Sequence, residues 1–233
     1  MQRTWAQRAV YDILRVLARL VSVWFFRLRA GGRENWPASG GALTCANHQS
    51  YFDPPLVGLT CGRRLTYLGR TTLFQNKLLA PIITFLDTIP IDREGGGLAG
   101  LKETLRRLKA GDMVLIFPEG TRTRDGQMQP LKPGFCAVAR RSRVPLVPVA
   151  LDGAYDAWPR TSPLPRGGRL AVVIGKPISA AEVAQLDDQQ LVAELARRMA
   201  GCLAEARRLR GVTSEPVEPP QVVTFSQDQA KAV

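Results

Sequence analysis

Histidine is almost absent from this chain of 233 residues: His48 stands alone against 32 lysines and arginines. With one imidazole available, a His-based zinc site is excluded in practice. The four cysteines, Cys45, Cys61, Cys136 and Cys202, are scattered without CxxC or any other metal-ligand spacing. No metal and no cofactor is expected, and the thiols read as reduced, as in a cytosolic protein or on the cytosolic side of a membrane. Aromatic residues make up only 7% of the chain, and no basic run interleaves them beyond the first helix, which argues against nucleic acid as a partner. Acidic residues are also too few, 20 in all, and the net charge of +12 calls for an anionic partner. Long apolar runs are missing as well. In "MQRTWAQRAVYDILRVLARLVSVWFFRLRA" the longest uncharged run is residues 20–26, far short of the roughly 20 apolar residues of a spanning helix. It has no unbroken signal-peptide core either. Internal repeats are absent.

What is present is length enough for one α/β domain with appendages. The first segment, residues 1–30, has helical spacing: Val10, Ile13, Leu14, Leu17, Leu20, Val21 and Trp24 recur at steps of three and four, with Arg8, Asp12, Arg15 and Arg19 opposite. Through Arg33 it carries seven arginines against Asp12, half the net charge of the protein. A basic amphipathic helix with Trp5 and Trp24 suits an anionic membrane surface, lying in the interface rather than crossing it. The alternative is a helix packed on the domain behind it. "GGRENWPASG" then marks a boundary near residue 31. Beyond it, apolar runs ("GALTCAN", "LTYLG", "TIPIDR", "MVLIF", "PLVPVAL", "RLAVVIG") alternate with helical patterns over "GLAGLKETLRRLKAG" and "FCAVARRS". A last helix runs from about Ala180 to Arg210, with a break near "LDDQQ". This order predicts an α/β domain over 31–210 with a mixed, largely parallel sheet flanked by helices. Residues 211–233, with three prolines and no helical period, read as a flexible tail.

Four blocks carry chemistry. His48 and Asp53 in "NHQSYFD" would lie about 140° apart on a continuous helix, so they meet only if the chain turns between them. Asp53 before Pro54 also reads as a helix N-cap followed by proline. "FPEGTRTRDG" follows the apolar run "MVLIF" and so sits at a strand's carboxyl end, where open α/β sheets bind ligands. There Gly120 admits backbone N–H groups to an anion, and Arg122 can fork onto phosphate. Arg93 in "IPIDR" again follows a strand end, and Lys132 adds a cation near the second block. Pro145 and Pro148 in "VPLVPV" argue for an edge, a bulge or an irregular wall rather than a central strand.

In this order NHxxxxD, IDR, FPEGTR and VPxxPV resemble the glycerolipid acyltransferases, the 1-acylglycerol-3-phosphate O-acyltransferase group, over roughly residues 31–180. The family's pattern usually has glycine where this chain has Asp87, and often lysine where it has Arg70. The resemblance implies a glycerol-3-phosphate acyltransferase-like fold. It also implies transfer of a fatty acyl group from a thioester, acyl-CoA or acyl carrier protein, to the 2-hydroxyl of lysophosphatidate, giving phosphatidate. His48 would be the general base and Asp53 its orienting partner, with no acyl-enzyme intermediate. Arg93, Glu119, Gly120, Thr121 and Arg122 would bind the acceptor. The expected location is the cytoplasmic face of the cell inner membrane, peripheral or monotopic. "LLAPIITFL" would line an acyl groove, dip into the leaflet or be core. Other acceptors (a lyso-ornithine lipid, another lysophospholipid), a thioester or lysophospholipid hydrolase, and a non-catalytic membrane-binding protein are the alternatives.

Overall fold

A computed structural model describes residues 5–92, 98–212 and 217–220. Helix α1 (Trp5–Phe26) leads into strand β1 (Arg29–Gly31) and strand β2 (Ala42–Ala46), followed by helix α2 (Asp53–Thr60) and β3 (Leu65–Arg70). Helix α3 (Leu79–Phe85), β4 (Thr88–Ile91), α4 (Leu98–Lys109), β5 (Met113–Ile116) and α5 (Gly134–Ser142) come next. The chain closes with β6 (Leu146–Asp152), α6 (Ala154–Ala157), β7 (Ala171–Ile174), α7 (Ala180–Gln185) and α8 (Asp188–Arg210). The sheet order is β1-β7-β6-β2-β5-β3-β4, and every pair is parallel except β6 with β7. The mixed, largely parallel sheet expected from the alternating pattern is therefore the one observed.

Alternation along β2 divides the core. Ala42 and Ala46 face a cluster with Leu56 and Val57 of α2 and Phe26 at the end of α1. Leu43 and Cys45 face the opposite cluster, built from Phe135 and Ala139 of α5 and Leu191, Leu195 and Met199 of α8. All five residues of β2 are buried, as expected of a strand covered on both faces. The break near "LDDQQ" is real and has a cause. α7 starts on a Ser179/Glu182 capping box, and α8 starts on a second one made by Asp187 and Gln190.

Two expectations need correction. β6 is an interior strand, between β7 and β2, and is fully buried in spite of Pro148. Between the Val149–Ile174 pair and the Leu146–Ile178 bridge, β6 supplies two residues against three on the facing chain. The proline sits at this bulge, where the register shifts, and its carbonyl still accepts from the Gly175 N–H at 2.8 Å. Asp53 is not an N-cap. Phe52 holds that position, and the Asp53 carboxylate turns back toward the preceding loop while Pro54 and Pro55 fill the first turn. Asp87 adopts φ 57°, the left-handed region, which is the physical reason for glycine at that place in the family pattern. Aspartate tolerates that region better than most residues.

Helix α1 presents its apolar stripe to solvent. Tyr11, Ser22 and Phe26 are buried, with the Arg64 guanidinium 4.1 Å over the Tyr11 ring. Ile13, Leu17, Leu20 and Val21 are exposed, and Trp24 is 84% exposed. Leu78, Leu79 and Ile82, at the start of and within α3, are exposed too, so "LLAPIITFL" is not core. Tyr11 of α1 packs against Phe85 of α3 at 5.9 Å between ring centroids, which joins the two apolar elements. Among the described residues no helix is long and apolar enough to cross a membrane.

Candidate active site

Because β2 and β5 are parallel neighbours, their carboxyl ends open on the same edge of the sheet. β2 runs out into Asn47 and His48, and β5 runs out into the loop Phe117–Arg122. β6 is parallel to β2 on its other side and delivers α6 and Trp158 to that edge as well.

Asn47 replaces the strand ladder with a side chain. Its Nδ2 donates to the Leu151 carbonyl at 2.9 Å, and its Oδ1 accepts from the Leu151 N–H at 2.7 Å. The chain leaves β2 at a fixed point and turns back on itself before α2. That turn brings His48 Nδ1 to 2.8 Å from Asp53 Oδ2. The same oxygen accepts from the backbone N–H groups of Gln49 at 2.5 Å and Ser50 at 2.7 Å. Three donors converge on Oδ2, so it acts as acceptor and Nδ1 carries the hydrogen, leaving Nε2 as the nitrogen able to take a proton. Burial raises the Asp53 carboxyl above the usual carboxylate range, and the donors pull it the other way. The imidazole lies flat on the Phe117 ring, with centroids 3.9 Å apart and planes 13° from parallel, so its plane is fixed too.

The second loop wraps around the His48 peptide. The His48 N–H donates to Glu119 Oε1 at 3.0 Å, and the Thr123 N–H donates to the His48 carbonyl at 2.8 Å. Glu119 is 2% exposed, and burial pushes its carboxyl up to about 8. A carboxyl raised in the folded state contributes stability at low pH that is lost as the pH climbs toward that value. The wild type is therefore expected to lose stability relative to Glu119→Gln between about pH 4.5 and pH 8, read from denaturant midpoints. A constant difference across that range would contradict the assignment. Gly120 has φ 73°, and the Lys132 side chain lies over it: an added Cβ would meet Nζ at 3.2 Å. Thr121 is exposed, and the Arg122 guanidinium stacks on the Tyr51 ring at 3.7 Å.

The structure thus brings together His48, Asp53, Glu119, Gly120, Thr121 and Arg122, while Arg93 lies outside the described residues. Six buried side-chain polar atoms have no hydrogen-bond partner among the described residues, and three of them, Asp53 Oδ1, Glu119 Oε2 and Arg122 Nη1, belong to these two loops. Unpaired buried polar atoms are costly, and their concentration here marks a place shaped for a ligand. The four cysteines are all buried, and burial pushes the Cys136 and Cys202 thiols up to about 12, with Cys45 higher still. None can act as a thiolate.

Reading the sequence alone missed the residues between His48 and Asp53. Gln49 Nε2 donates to the Gly126 carbonyl at 3.0 Å, and Ser50 Oγ donates to the Trp158 carbonyl at 2.7 Å. Phe52 packs edge-on against Phe26 and Trp158. Their partners lie more than a hundred residues away in part, so no local signal announces them.

A family model described as Acyltransferase matches residues 27–152. The chain is 31% identical over 164 residues to the 1-acyl-sn-glycerol-3-phosphate acyltransferase of Bacillus subtilis, covering 70% of this chain and 79% of that one. It is 27% identical over 205 residues to a probable 1-acyl-sn-glycerol-3-phosphate acyltransferase of Mycoplasma pneumoniae, covering 80% of this chain and 76% of that protein. It spans about half the length of the chloroplastic relatives it matches. Among solved structures, the 1-acyl-sn-glycerophosphate (LPA) acyltransferase PlsC from Thermotoga maritima superposes with a TM-score of 0.76. That match, at 23% identity, covers 92% of this chain and 86% of that one, and it establishes the likeness of fold.

Proposed function

Because the chain belongs to the acyltransferase family, we propose that it moves a fatty acyl group from a thioester to the 2-hydroxyl of lysophosphatidate, giving phosphatidate. The observation that carries this reading is the buried Asp53 bonded to the only histidine, beside a loop whose Arg122 has a donor with no partner among the described residues. His48 Nε2 takes the proton from the acceptor hydroxyl as its oxygen attacks the thioester carbonyl. The tetrahedral adduct collapses, the thiolate leaves, and the imidazolium returns the proton to the departing sulfur. Asp53 holds the ring orientation and stabilises the imidazolium. No covalent intermediate on the protein is needed, in keeping with the sealed thiols.

Arg122 takes the acceptor phosphate, with Lys132 nearby and Arg93 added from the sequence. Gly120 and Thr121 line the approach of the glycerol, and Glu119 acts by fixing the His48 peptide. The donor is acyl-CoA or acyl carrier protein. Helix α1 lies on the anionic cytoplasmic face of the inner membrane, where its exposed stripe and that of α3 dip into the headgroup region. Burying one such apolar side chain gains roughly 1.5–3 kcal/mol, and each arginine near the surface about 1 kcal/mol. Replacing Leu17, Leu20 and Trp24 together by serine is expected to cut binding to phosphatidylglycerol vesicles at least about tenfold. Unchanged co-sedimentation would remove α1 from this role.

The function itself is tested with a labelled oleoyl thioester and a panel of acceptors: lysophosphatidate, lysophosphatidylcholine, a lyso-ornithine lipid and monoacylglycerol. Phosphatidate as the main product is expected. Preference for an acceptor without a phosphomonoester would overturn the assignment, and free fatty acid alone would make the protein a hydrolase.

A further inference from the structure

The pattern NHxxxxD leaves residues 49–52 undefined, yet Tyr51 of this first loop makes a contact with the second. Tyr51 is 49% exposed, and its ring carries the Arg122 guanidinium on one face, 3.7 Å from the centroid. Trp158 stands against the same tyrosine at 5.3 Å, tilted by 47°. Trp158 is itself held: its carbonyl accepts from Ser50 Oγ at 2.7 Å, and its Nε1 donates to the Ser162 carbonyl at 3.0 Å. A cation thus rests on an aromatic ring that is backed by a second, anchored one.

A guanidinium stacked on its flat face keeps its edge, where all the N–H donors point, open for a phosphate. An unsupported arginine has to give up most of its side-chain freedom when the anion arrives. Arg122 has already lost much of it to the ring, and its Nη1 is buried with no acceptor among the described residues. We infer that Tyr51 is a positioning residue for acceptor recognition: its ring preorganises Arg122 to grip the phosphomonoester of the incoming lysolipid. This rests on the acyltransferase reading of the same site. The contribution lies in binding the acceptor, because the Tyr51 ring meets Arg122 and Trp158, whereas the His48 ring stacks on Phe117. The face of the ring matters and the hydroxyl does not.

The test is steady-state kinetics of the full chain in detergent, with KM measured separately for donor and for lysophosphatidate, on wild type, Tyr51→Phe and Tyr51→Leu. Leucine is expected to raise the acceptor KM about five- to thirtyfold, the range set by a partly exposed cation–π contact, with kcat within about twofold and the donor KM unchanged. Phenylalanine is expected to restore the wild-type acceptor KM. An unchanged acceptor KM in Tyr51→Leu would overturn the inference. So would a loss in kcat that phenylalanine does not rescue, since that would mean a disrupted loop. Melting curves by circular dichroism identify a variant that fails to fold, and Tyr51→Phe still decides in that event, because the inference requires it to behave as wild type. If the wild type makes no phosphatidate, the acyltransferase reading falls and the inference with it. A wild type that is active with indifferent Tyr51 variants overturns the inference alone.

Discussion

His48→Ala is expected to lower kcat for acyl transfer about 10²- to 10⁴-fold, while the KM values for donor and acceptor change little. The loss falls on kcat because the imidazole acts on a proton that moves only as the carbonyl is attacked. The variant is expected to fold. The His48 backbone keeps its pairing with Glu119 and Thr123; the side chain gives up its stacking on Phe117 and its bond to Asp53, whose Oδ2 still accepts from the Gln49 and Ser50 N–H groups. Rates are read from single-substrate saturation curves, and the melting midpoint reports the fold. A variant as well folded as wild type and within about threefold of its kcat would remove His48 from the chemistry.

Asp53 has the next largest expected effect, and its two replacements separate two roles. In Asp53→Ala the backbone N–H groups of Gln49 and Ser50 lose their acceptor inside the protein, and the imidazole loses its orientation. Each buried donor left unpaired costs about 1–3 kcal/mol, so a stability loss of roughly 2–6 kcal/mol is expected, with activity reduced about 10³-fold or more. In Asp53→Asn those same two donors select the amide orientation that keeps its oxygen in the place of Oδ2. The amide nitrogen then occupies the position of the unpartnered Oδ1. The ring stays oriented and only the negative charge is gone. A charge-assisted bond is worth about 1.5–3 kcal/mol, so kcat should fall roughly ten- to a hundredfold, with a modest change in the denaturant midpoint. Equal losses in the two variants would show that the orientation of the ring contributes nothing beyond the charge.

Much of this was legible in the residues. The alternation of short apolar runs with helical patterns led to the sheet and its largely parallel character, because a strand covered on both faces leaves a continuous apolar signature, as in β2 and β5. The helix break before α8 was written as a capping box. A turn between His48 and Asp53 was required on geometric grounds for the two to meet, and the structure contains that turn. Other features were not legible because they depend on distant chain. The prolines pointed β6 to an edge, a bulge or an irregular wall; the bulge is there, against residues 175–177, but it makes room for Pro148 in the interior of the sheet, which no local signal announces. The Asp–Pro pair read as a cap, because nothing nearby reveals that Gln49 and Ser50 turn their N–H groups toward that carboxylate. Tyr51 meets Arg122 only because β2 and β5 end side by side.

The most direct measurement is product analysis with purified protein, a radiolabelled acyl thioester and lysophosphatidate, run for wild type beside His48→Ala and resolved by chromatography. Labelled phosphatidate from the wild type, falling at least about 10²-fold in the variant, is the predicted result. Phosphatidate formed equally by both proteins, or label recovered only as free fatty acid, would contradict the account.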